Sequence, residues 1–172
     1  MIIVSSLEFA EEAFRQHQPA YVVSILDVDE PTPPAFDTLP PANHIKLIGN
    51  CARADDDNCG DRSKRCDKIL DLAKRWSEDG KNSPILIHCN EGAARSMAVA
   101  YILMCAIDHT HCEKDIAARL RTAAPHADPN LLLVSEADAA LGREDRMIEA
   151  ILDLCPCCST VATPIVTLPL AA

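Results

Sequence analysis

Aromatic side chains are scarce in this chain: one Trp, two Tyr and three Phe among 172 residues. So few rings leave little to wall a deep aromatic pocket. Positive charge is also in deficit, with 16 Lys and Arg against 26 Asp and Glu and a net charge of −10. That balance argues against nucleic acid or an anionic membrane as a general partner. No apolar run reaches the eighteen or so residues needed to cross a bilayer. The start, Met1-Ile2-Ile3-Val4-Ser5-Ser6-Leu7-Glu8, has neither a basic beginning nor a long apolar stretch, so no signal peptide is expected. Cysteine, by contrast, is plentiful, with nine: Cys51, Cys59, Cys66, Cys89, Cys105, Cys112, Cys155, Cys157 and Cys158. An odd number in a chain without an export signal points to reduced thiols and a cytoplasmic setting. Cys155-Pro156-Cys157-Cys158 lacks a second half-site, so no metal is expected there.

One stretch stands out: His88-Cys89-Asn90-Glu91-Gly92-Ala93-Ala94-Arg95-Ser96. It lies between the apolar run Ile85-Leu86-Ile87 and a helix-like run from Met97 to Met104. A strand ending at Cys89 and a helix starting near Arg95 leave one tight loop. Backbone N–H groups in such a loop, with the positive end of a helix, make an anion cradle. Cys89 at its floor is expected to react as a thiolate, the form that helix N-termini and cations favour. Arg95 offers a planar fork to two oxygens at once. Gly92 permits a positive φ and a close backbone approach. Ser96 is placed to hydrogen bond to the sulfur and ease its departure from an intermediate. Asn90, Glu91, Gly92, Ala93, Ala94 and Arg95 are the expected phosphate-binding positions, and His88 is expected to orient the loop through backbone hydrogen bonds.

His88-Cys89-x-x-Gly92-x-x-Arg95-Ser96 resembles the signature of the cysteine-dependent protein tyrosine phosphatases, most of all the dual-specificity-like branch. Further likeness, to the small bacterial predicted tyrosine phosphatases, lies in Val22 to Leu26, Ala117 to Arg121, Pro129-Asn130, Leu141-Gly142-Arg143 and Arg146-Met147. It spans roughly Ile2 to Leu154. The resemblance implies a phosphoric monoester hydrolase acting through a phosphocysteine intermediate, with no metal or cofactor. Its substrates would be phosphorylated proteins or small phosphate monoesters; phosphate, sulfate or vanadate should occupy the loop. No aromatic recognition loop of the kind that deepens some tyrosine-specific sites is evident, which favours a shallower site.

Such enzymes use an Asp on a separate loop as general acid. After the strand His44 to Ile48, relatives commonly place Asp almost at once, whereas this chain reads Gly49-Asn50-Cys51. Asp55, Asp56 and Asp57 follow, thirty-four to thirty-two residues before Cys89. Asp57 and Asp56 are the preferred candidates on spacing; a triple Asp can equally be a solvated loop. The alternative function is therefore a phosphate- or phosphopeptide-binding pseudophosphatase without an efficient acid. An arsenate reductase or sulfurtransferase is disfavoured by Ser96 and the helical second half.

Periodicity predicts an α/β fold with a mostly parallel central sheet of about four strands flanked by helices, and a helical C-terminal half. Expected strands are Ile2–Val4, Tyr21–Leu26, His44–Ile48 and Ile85–His88. Expected helices are Leu7–Gln16, Asp61–Trp76, Arg95–Ile107, Glu113–Ala123, Asn130–Leu141 and Arg143–Leu154. Asp29–Pro41 reads as a Pro-rich connector. One domain over residues 1–156 is expected, with 157–172 a flexible tail.

Overall fold

In the computed structural model, residues 1–27, 29–48, 62–79, 83–154 and 163–170 are described. The element order is β1 (Ile2–Ser6), α1 (Leu7–His17), β2 (Tyr21–Leu26), β3 (His44–Ile48), α2 (Arg62–Glu78), β4 (Ile85–Cys89), α3 (Arg95–Ile107), α4 (Glu113–Ala123), α5 (Leu131–Leu141), α6 (Arg146–Leu152) and β5 (Ile165–Leu168). The strands form one sheet in the order β3-β2-β4-β1-β5, with β1 to β4 parallel and β5 antiparallel to β1. This is the expected α/β fold, with one strand more than the sequence suggested.

β2 and β4 are buried along their whole length because helices cover both faces of the sheet. Alternate residues divide between two cores. Ile85, Ile87 and Cys89 join the larger core with Val23, Ile25 and α3. Leu86 joins the smaller one with Ile3, Val22, Ala10, Ala13 and Phe36. α3 is apolar all round and buried from Ser96 to Cys105, so the other helices of the second half pack around it. Tyr101, inside this core, donates its hydroxyl to the carbonyl of Glu113 at 3.2 Å, so its polar tip is satisfied.

Three expectations need correction. Residues 165–168, expected within a flexible tail, pair with β1 along Ile2 to Ser5. Val166 and Leu168 are buried while Thr167 is exposed, the period-two pattern of a half-buried edge strand. The helix expected from Arg143 starts only at Arg146, because Gly142, Glu144 and Asp145 all take positive φ. Asp138 instead receives the N–H groups of Asp145 and Met147, each at 2.8 Å, and anchors the start of α6. The Pro-rich connector is also more than a link. It winds into short 3-10 turns at Pro34–Thr38 and Pro41–Asn43, and Phe36 plugs the smaller core.

Candidate active site

Cys89 ends β4, level with Ser6 of β1 and Ile25 of β2, so its thiol emerges at the carboxyl ends of three adjacent parallel strands. The loop from Asn90 to Ala94 then turns into α3. Three of its carbonyls are taken by neighbouring segments. Asn90 O accepts from Leu7 N at 3.3 Å, Ala93 O from Asp128 N at 3.0 Å, and Ala94 O from Asn130 N at 3.2 Å. In a trans peptide the N–H points opposite to the C=O. The N–H groups of Glu91, Ala94 and Arg95 therefore point opposite to these engaged carbonyls.

The thiol itself is held by two partners. Gly92 N–H donates to Cys89 Sγ at 3.3 Å, and Ser96 Oγ lies 3.2 Å from it. Gly92 has φ +76°, and a Cβ there would come within 2.7 Å of Ser6 N and 2.9 Å of Ser5 C. Both the backbone conformation and the close approach to β1 exclude a side chain.

His88 is fully buried on the opposite face of the sheet. Its partner is a side chain and not the expected backbone group: His88 Nε2 lies 2.6 Å from Ser24 Oγ, which lies 2.8 Å from His44 Nε2. Phe36 packs against both imidazoles. Burial, and then the nearby His44, bring the His88 pKa down to about 4. A neutral ring thus backs the strand that carries Cys89.

Arg95 projects from the first turn of α3. Its Nη1 donates to Asp27 Oδ1 at 3.0 Å and its Nη2 to Asn90 Oδ1 at 2.7 Å. The Asn90 amide nitrogen donates in turn to Glu30 Oε1. Beyond Arg95 a cleft opens, lined by Ile25, Leu47, Leu132, Leu133 and the buried Arg65, which pairs with Glu136 at 2.9 Å. Aliphatic side chains share its lining with Arg65, Arg95 and Asn130, and no ring is among them.

The structure brings Cys89, Gly92 and Ser96 into contact, and Arg95 onto Asn90. The candidate acids Asp55, Asp56 and Asp57 lie outside the described residues, as do Cys51, Cys59, Cys155, Cys157 and Cys158. Asp27 and Glu30 were missed. The available signal was position, since Asp27 is the first residue past β2, the strand beside β4, where chain ends converge in a parallel sheet. Burial pushes the Cys66 thiol up to about 11 and the Cys105 thiol up to about 12, which keeps both protonated. Among the described residues, no group of three or more His, Cys, Asp or Glu could hold a metal ion. No described helix is long and apolar enough to cross a membrane.

Cys89 with the Gly92 N–H and Ser96 on its sulfur, and Arg95 held by Asp27 and Asn90, lie at the carboxyl ends of the parallel strands. The family described as Protein-tyrosine phosphatase matches residues 55–124. No curated protein matches the sequence. Among solved structures, the Cydia pomonella PTP-2 phosphatase is 17% identical, with 80% of this chain and 84% of that one covered and a TM-score of 0.59. Human DUSP28 is 17% identical, with 83% and 94% covered and a TM-score of 0.56. The human tyrosine phosphatase-like serine/threonine/tyrosine-interacting protein is 15% identical, with 83% and 92% covered and a TM-score of 0.61. At such identities the likeness to the solved structures is one of fold. The family match over residues 55–124 and the shared fold make the chain similar to the cysteine-based protein tyrosine phosphatases of dual-specificity-like form.

Proposed function

We propose that the chain is a phosphoric monoester hydrolase, a protein tyrosine phosphatase of dual-specificity-like type, acting through a phosphocysteine intermediate. The observation that carries this reading is Cys89 Sγ held under the Gly92 N–H and beside Ser96, at the floor of a loop rimmed by Arg95. A phosphoryl dianion accepts hydrogen bonds from the loop amides and from Arg95. The Cys89 thiolate attacks phosphorus in line, the bond to the leaving oxygen breaks, and an Asp of 55–57 supplies the proton that oxygen needs. Water then attacks phosphocysteine; phosphate leaves, and the thiolate returns with Ser96 donating to it. The single domain spans residues 1–156, to which the β5 strand adds, and the reducing cytoplasm suits a chain of nine cysteines.

A second reading is a phosphate- or phosphopeptide-binding pseudophosphatase. Asn50-Cys51 after β3 favours it, and one structural neighbour is itself described as phosphatase-like and interacting. Hydrolysis of a simple aryl phosphate from pH 4.5 to 8, with reductant, separates the two. The enzyme reading expects turnover that Cys89→Ser abolishes and that substitution of Asp55, Asp56 or Asp57 weakens on the basic limb. No turnover, with phosphate protecting Cys89 from alkylation, would establish the binding protein instead.

A further inference from the structure

Arg95 is not left to find its own orientation. A guanidinium has five N–H donors in a rigid plane. One on Nη1 is taken by Asp27 Oδ1 at 3.0 Å and one on Nη2 by Asn90 Oδ1 at 2.7 Å, which leaves the others for an anion. Asn90 is itself fixed, since its amide nitrogen donates to Glu30 Oε1. Glu30 is tied back to Asp27 in two ways: its Oε2 accepts from Asp27 N at 3.2 Å, and its own N–H donates to Asp27 O at 3.2 Å. The result is a closed ring of hydrogen bonds through Arg95, Asn90, Glu30 and Asp27. Its foundation is β2, whose Ile25 is in register with Cys89, so Asp27 stands just beyond the nucleophile's level.

We propose that Asp27, with Glu30 acting through Asn90, is a positioning residue that fixes the guanidinium plane of Arg95 for bidentate contact with the phosphoryl group in the transition state. This rests on the phosphatase reading of the site. Asp27 accepts one hydrogen bond from the guanidinium, the contact of an anchor. The benefit is orientational: a preset fork holds its geometry while phosphorus changes partners, whereas a free Arg must be ordered in each turnover. Ground-state binding depends less on that alignment, because the loop amides also hold the dianion. The Asp27 charge moreover opposes a bound dianion, so its loss does not weaken binding in proportion.

Two readouts test this on the full chain. The first is the 15N–1H signal of Arg95 Nε, assigned by its absence in Arg95→Lys. A braced guanidinium gives a resolved signal in the wild type; Asp27→Ala should broaden or erase it, and Asp27→Asn, which can still accept from Nη1, should restore it. The second is aryl phosphate kinetics. Asp27→Ala should lower kcat about tenfold while KM moves less than about threefold, with Asp27→Asn recovering most of kcat. Glu30→Ala, which frees Asn90, should act in the same direction but more weakly, and it replaces Asp27→Ala if that variant does not fold. An Arg95 signal in Asp27→Ala as sharp as in the wild type overturns the brace. So does an unchanged kcat once the signal is lost. A wild type without turnover sinks the phosphatase reading, and the Arg95 signal still decides whether the brace exists.

Discussion

The Ser96 hydroxyl lies 3.2 Å from the Cys89 sulfur, although the two are seven positions apart across the loop and helix start. Both are buried, so water does not substitute for this contact. A hydrogen bond to a charged partner contributes about 1.5–3 kcal/mol. Ser96→Ala should therefore slow breakdown of phosphocysteine by about tenfold or more. Rapid mixing with an aryl phosphate should show a burst of phenol followed by a slow steady state. A variant with wild-type kcat and no burst would remove Ser96 from the mechanism.

Gly92→Ala meets two obstacles, a φ of +76° and the Ser6 nitrogen 2.7 Å from the new Cβ. Neither neighbour is a flexible side chain. Roughly 2–4 kcal/mol of destabilisation is expected from strain and clash combined. A urea midpoint should register it, with turnover falling further than stability as the loop is pushed from β1.

Acid should weaken the fold through His88. Its pKa is near 6.5 when unfolded and about 4 when folded, lowered by burial first and His44 second. Between those values the unfolded chain binds more protons, so stability falls as pH drops from 6.5 toward 4. The loss approaches about 3 kcal/mol, an order-of-magnitude figure. His88→Gln should flatten this part of a urea-midpoint profile against pH, even if it lowers the midpoint at pH 7.

A chain ending at residue 162 loses β5. Val166 and Leu168 are both buried, and β1 would become an open edge. At about 1.5–3 kcal/mol for each buried aliphatic side chain, several kcal/mol of stability should go with them. An unchanged urea midpoint would return this segment to the status of a tail.

Much of the site was legible before any fold. Cys89, Gly92, Arg95 and Ser96 sit within eight residues, so a strand, a loop and a helix start suffice to bring them together. β2 and β4 were legible too, because burial on both faces writes largely apolar runs such as Tyr21 to Leu26 and Ile85 to Ile87. β5 was not. Its four residues lie near two prolines, and a short edge strand takes its pairing from β1 rather than from its own pattern.

The sequence alone determined the local chemistry: which thiol, which cation, and the glycine between them, since covalent neighbours cannot be far apart. Tertiary structure decided what surrounds that chemistry. Asp27 lies sixty-eight residues from Arg95, and Ser24 sixty-four from His88, and no local preference joins either pair. They meet because β2 pairs with β4 in a fixed register, which sets Ile25 beside Cys89 and carries Asp27 to the rim. Side-chain partners brought together by strand pairing follow from the register, and register is a property of the assembled sheet.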